Sequence, residues 1–230
     1  MRRIQSTVLL IVILLALVSG LPLLASAKEE PVYLMTIELR EHQKLVVNAI
    51  PPSDNSADNP DYALLSFHWS TSAKYWINTK NNYGFSASAV VTAITASASA
   101  WDDQTNAAVF SYQSTTSRNA GKRDGYNIVD WGIYRVGAIA VTYIWYSGSQ
   151  ILETDTRMNT FYRWSLSGEA RKMDVKNIMT HEFGHWAGLA DLYSDADYWL
   201  TMYGYSNYGE TYKRTLGLGD TQGLQAVYGA

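Results

Sequence analysis

From Asp61 onward the spacing of apolar residues alternates between two periods, and the alternation marks out strands and helices. Lys74-Tyr75-Trp76-Ile77-Asn78 reads as a strand from its aromatic and branched content. From Ser86 to Trp101 the period changes: Val90, Ile94, Ala98 and Trp101 fall on one helical face, with Ser86 as N-cap. Ala107–Tyr112, Tyr126–Trp131 and Val136–Tyr146 are predicted strands, and Gly148 turns the last into a further strand over Ile151–Asn159. In that strand Ile151, Thr154, Thr156 and Met158 interleave with Glu153, Asp155 and Arg157. The spacing then predicts a helix over Asp174–Ala187, begun by Val175, Ile178 and Met179 and given packing surface by Phe183 and Trp186. A last helix runs from Asp220 through Leu224 and Val227 to a stop at Gly229. The mixture of elements predicts an α/β (α+β) domain.

The chain before Asp61 reads differently. Arg2 and Arg3, the apolar run Thr7–Leu17 and the small residues Ala25-Ser26-Ala27 form the pattern of a signal peptide over residues 1–27. That predicts a secreted protein. The alternative is an uncleaved anchor that leaves the protein facing outside, because Thr7–Ala27 approaches the ~20 residues that span a bilayer. Residues 28–60 form an N-terminal extension or short propeptide: Val32–Val47 suits a strand or a short helix, and Pro51–Pro60 is a linker of turn-forming residues.

Charge and composition narrow the class. The net charge is −3, becoming −5 without the signal segment, and no basic run occurs, which argues against a nucleic-acid partner. The chain has no cysteine, so core packing and bound ions must stabilise an exported protein, and a cysteine-based metal site is excluded.

The candidate chemistry lies in His181-Glu182-Phe183-Gly184-His185-Trp186-Ala187-Gly188-Leu189-Ala190-Asp191. Residues four apart stack on one helix face, so His181 and His185 can aim both imidazoles at one ion, with Glu182 beside them. This is the HExxH pattern of zinc hydrolases. Gly188 tolerates the left-handed backbone that ends a helix abruptly, which lets Asp191 swing back as a third ligand. Asp195 and Asp197 lie near enough to substitute, while His42 and His68, the other two histidines, read as non-ligands.

At these residues the chain resembles the metzincin metallopeptidases, whose long motif HExxHxxGxx(H/D) precedes a turn carrying a methionine, here Thr201-Met202-Tyr203-Gly204-Tyr205. The closing segment Gly219–Gly229 is similar to the last helix of the matrixin branch, and Gly188–Tyr193 is similar to the snapalysin branch, which also uses Asp. The resemblance covers Asp61–Ala230. It implies a catalytic domain with a twisted mixed sheet, a long N-terminal helix, an active-site helix and a closing C-terminal helix. It also implies a secreted zinc endopeptidase: one catalytic Zn2+ on His181, His185 and Asp191, Glu182 as general base for the metal's water, and Met202 as an apolar floor. Aspartate in place of a third histidine leaves the zinc less positive. The implied partner is a protein or peptide substrate lying along an exposed edge strand, taken as Ile151–Asn159, where Glu153 and Arg157 would also discourage aggregation. The chain lacks the second histidine cluster and the cysteine switch of animal matrixins, and no motif supports a Ca2+ site. The alternative function is a non-catalytic secreted zinc-binding or interaction module on the same fold; a third is an adhesive protein without stoichiometric metal.

Overall fold

Among the described residues, strand-forming runs pair into a seven-stranded mixed sheet accompanied by three α-helices. The computed structural model describes residues 30–42 and 58–230; the predicted signal segment and most of the proline-rich linker lie outside the described residues. In chain order the elements are β1 (Tyr33–Glu41), β2 (Ala73–Ile77), α1 (Ala87–Asp102), β3 (Phe110–Thr115), β4 (Asn127–Gly132), β5 (Ala138–Ser147) and β6 (Gln150–Asn159). There follow β7 (Trp164–Ser165), β8 (Met173–Asp174), α2 (Val175–Trp186), β9 (Tyr205–Ser206) and α3 (Leu218–Tyr228). The large sheet has the order β3-β2-β4-β6-β5-β1-β9, and β7 pairs with β8 apart from it. Strands β3, β2, β4 and β6 run parallel, whereas β5 returns antiparallel to β6 and β1 is antiparallel to β5. The α+β class expected from the pattern is therefore present. Among the described residues no helix is long and apolar enough to cross a membrane.

The helices follow the sequence cues. Ser86 caps α1 by accepting the Ala89 amide at 3.2 Å, and Val90, Ile94, Ala98 and Trp101 are its buried face. Asp174 caps α2 by accepting the Asn177 amide at 2.9 Å. The two helices lock together through the Trp101 indole, which donates to the Thr180 carbonyl at 2.8 Å. Gly184 makes that approach possible, since a Cβ there would collide with Met202 Sδ and the Trp101 ring. Two boundaries differ from the pattern. Strand β3 begins three residues later than expected, at Phe110, because the Asp102 carboxylate holds the Val109 and Phe110 amides where the chain leaves the helix. Helix α3 begins at Leu218, and Asp220 sits inside its first turn with Oδ2 taking the Gly217 amide at 2.8 Å.

The larger correction concerns β6. It is an interior strand between β4 and β5, so Ile151–Asn159 is no edge. Its charged residues are buried with internal partners. Glu153 accepts the Asp124 and Gly125 amides; Asp155 accepts those of Gly121, Lys122 and Ile128; Arg157 forms a fork onto Asp130. Alternation of charge along the strand reflects anchoring of the loop between β3 and β4, where an edge whose charges discourage aggregation was expected. Strand β5 is interior too, because β1, from the segment expected to be a strand or a short helix, pairs with it over eight residue pairs; the outer strands of the sheet are β3 and β9.

Two predictions follow from these buried charges. Asp174 also binds Arg214 at 2.6 and 2.8 Å, so Asp174→Ala should lower the unfolding free energy by about 3 kcal/mol, read from urea midpoints; a loss below ~1 kcal/mol would contradict it. Burial, opposed by three amide donors, pushes the Asp155 carboxyl up to about 7. Its folded value lies above its unfolded value, so its contribution to stability is complete below about pH 4 and is lost as pH rises through 7. Carbon NMR titration of Asp155 should show a midpoint near 7, and a midpoint at or below 4 would show the amides outweighing burial.

Candidate metal centre

Helix α2 supplies the first three residues of the site, and all of His181, Glu182 and His185 are buried. The chain leaves the helix at Gly188, whose φ of 93° is the left-handed conformation expected there. The Leu189 amide then closes back onto the Gly184 carbonyl at 2.9 Å. This exit carries Asp191 back toward the helix face, where its side chain is only 6% exposed.

The histidine tautomers decide what the site can hold. His181 Nδ1 faces the Thr201 carbonyl at 2.7 Å, and His185 Nδ1 faces the Leu189 carbonyl at 2.9 Å. A carbonyl oxygen only accepts, so each Nδ1 carries the proton and each Nε2 of the neutral ring presents a lone pair. The two Nε2 atoms face each other at 3.1 Å, and Asp191 Oδ1 lies 3.2 and 3.4 Å from them. Three acceptors thus converge on one point. Oδ1 of Asp191 has no hydrogen-bond donor, although Tyr193 donates to the companion oxygen at 2.9 Å. Buried acceptors without donors are costly, and a cation satisfies all three together. His181, His185 and Asp191 therefore form a group that can hold a metal ion.

Electrostatics in the group follow from burial and proximity. Burial pushes His181 down to about 4, which keeps it neutral, while Asp191 more than offsets burial at His185 and holds it up. Burial also disfavours the charged form of Asp191, and a positive charge on the His185 ring, or a cation in its place, outweighs it and holds that carboxyl well below the usual range. Glu182 is pushed up to about 7 by burial. Its Oε2 accepts from Thr142 Oγ1 of β5 at 2.5 Å, and its Oε1 is buried without a donor. Thr142 in turn contacts Thr156 Oγ1 of β6 at 2.5 Å, and the Trp186 indole donates to Thr156 at 2.8 Å. An indole only donates and a carboxylate only accepts, so with Glu182 ionised the protons point from Trp186 through both hydroxyls to Glu182.

The turn after Asp191 is clamped from two sides. Asp220 accepts the Thr201 and Met202 amides at 2.7 and 3.0 Å, and the buried Lys213 ammonium donates to the Tyr203 carbonyl and, at 2.7 Å, to that of Tyr205. Met202 is buried, with its sulfur packed over Gly184. The remaining candidates lie elsewhere. His42 packs among Tyr198, Tyr203 and Tyr205, and His68 faces Tyr228. Asp195 is exposed and Asp197 is buried, where its carboxylate accepts from the Asn59 side chain at 2.8 Å, and neither joins the metal group. Thr142, Thr156 and Lys213 were invisible as site residues, because nothing in their spacing relates them to α2. No protein-family model matches the chain, and no curated protein matches it either.

Titration with a divalent transition metal should saturate at one equivalent and, at about 100-fold over Kd, add about 2.7 kcal/mol to the unfolding free energy. Asp191→Ala should weaken that binding by at least the ~100-fold that loss of an outer partner can cost. Equal affinity in variant and parent would move the third ligand elsewhere.

Proposed function

We propose that the chain is a secreted zinc-dependent endopeptidase of metzincin, matrixin-like type. The convergence of two Nε2 lone pairs and one carboxylate oxygen beside a buried glutamate carries this reading. A point equidistant from those three atoms lies about 1.9 Å from each, close to the ~2.0–2.2 Å of zinc–nitrogen and zinc–oxygen bonds. His181, His185 and Asp191 would hold the ion. When bound, zinc supplies Lewis acidity toward a carbonyl oxygen and makes a water easier to deprotonate.

The rest of the chemistry belongs to the chain. Glu182, one residue on from His181, takes a proton from water and returns it to the leaving amine. Thr142 ties down Oε2 and leaves Oε1 for the exchange. Carbonyls of Thr201 and Leu189 keep the imidazoles in the tautomer that offers Nε2. Support for export is the charged, apolar and small-residue sequence of residues 1–27. The second reading, a non-catalytic metal-binding module, draws on the full burial of His181, Glu182 and His185.

With zinc restored after chelation, cleavage of an unfolded protein should return. Glu182→Gln should keep the metal and lose cleavage by about 100-fold or more; undiminished turnover would rule out the assigned base. Thr142→Val should slow cleavage with metal content unchanged, and Thr142→Ser should restore it, because serine keeps the hydroxyl. Equal rates in the valine and serine variants would remove Thr142 from the mechanism.

A further inference from the structure

Lys213 is wholly buried, and both hydrogen-bond partners of its ammonium are backbone carbonyls, those of Tyr203 and Tyr205 on either side of Gly204. Holding a charge out of water is unfavourable, and a neutral side chain would fill the same space at less cost. What the ammonium adds is two charge-assisted bonds, stronger than neutral ones, aimed at two particular carbonyls. The segment so held touches the third ligand. The Leu192 amide donates to the Met202 carbonyl at 2.9 Å, and the Gly204 amide donates to the Leu192 carbonyl at 2.8 Å, which laces the residue after Asp191 to the turn. Gly204 lies against the ligand itself, since a Cβ there would stand 3.1 Å from Asp191 Cγ.

Lys213 is tied in turn to the helix that carries the histidines. It sits in a single 3-10 turn, Tyr212–Arg214, and its amide donates to Asn177 Oδ1 at 2.9 Å. Asn177 lies on α2 four residues before His181, on the same helix face. Arg214 forks onto Asp174, the N-cap of that helix. A closed path therefore runs from His181 along α2 to Asn177, through Lys213 to Gly204, and from there to Asp191.

We propose that Lys213 is a positioning residue for the metal group: by fixing the Tyr203-Gly204-Tyr205 backbone relative to α2, it sets Asp191 Oδ1 against the two imidazole nitrogens. This rests on the metal-binding part of the endopeptidase reading alone. Charge acts in the opposite sense. An ammonium repels a cation held at Asp191, so its removal by charge alone tightens metal binding, whereas lost positioning weakens it.

The test measures Zn2+ affinity, by competition with a chelator, in the full chain, in Lys213→Met, in Asp191→Ala and in the double variant. Lys213→Met should weaken binding by about tenfold or more in the parent, yet by less than about twofold where Asp191 is already alanine, because its effect passes through that carboxylate. Urea unfolding of the same chains checks that each is folded. Should Lys213→Met fail to fold, Asn177→Ala, which frees Lys213 from α2 and keeps the ammonium, must give the same two results. Tighter or unchanged binding, or equal weakening in both backgrounds, would overturn the proposal and leave the endopeptidase reading intact. A parent chain that binds no Zn2+ would end both. If the affinities behave as expected but no chain cleaves protein, the positioning role stands and the endopeptidase reading fails.

Discussion

Everything about the centre depends on two carbonyl oxygens. By taking the Nδ1 protons of His181 and His185, the Thr201 and Leu189 carbonyls force both Nε2 lone pairs toward the same point as Asp191 Oδ1. Three acceptors cannot satisfy one another, so the fold carries a local electrostatic conflict that a cation resolves. Both carbonyls belong to the stretch that follows α2, which makes the course of the chain after Gly188 as important as the helix itself. That course is held by Asp220 and by the buried Lys213, each bonding to backbone of the Met202 turn.

A second constraint comes from the sheet. Thr142 and Thr156 sit on neighbouring strands, and only the register that places Thr142 opposite Thr156 lets a hydroxyl chain reach Glu182. The order β4-β6-β5 sets that register, and the charged residues of β6 reinforce it by pinning the loop between β3 and β4. Base and ligands thus have separate supports: the sheet orients Glu182, and the Met202 turn orients the imidazoles.

Much of this was legible in the chain. The periodicity of Val90, Ile94, Ala98 and Trp101 predicted α1, and Ser86 and Asp174 announced their helices because capping is a local interaction. His181, His185 and Asp191 were readable because one helix and one glycine exit fix their relation, and all lie within a short stretch. What failed was long-range. The charges of β6 pointed to an edge, but their partners come from residues about 27 to 37 positions earlier, which no local pattern reveals. The same holds for Thr142 and for β1, whose place is decided by strand pairing across about a hundred residues.

Strand β1 also acts as a hem. Seven residues of β5, 140–146, have β6 on one flank and β1 on the other. A molecule that sheds β1 bares a long row of unsatisfied amides and carbonyls, with Ile144 and Trp145 among its side chains. Such a border would accept any extended chain, including one from a second copy, so the pairing of β1 onto β5 also guards this protein against polymerisation.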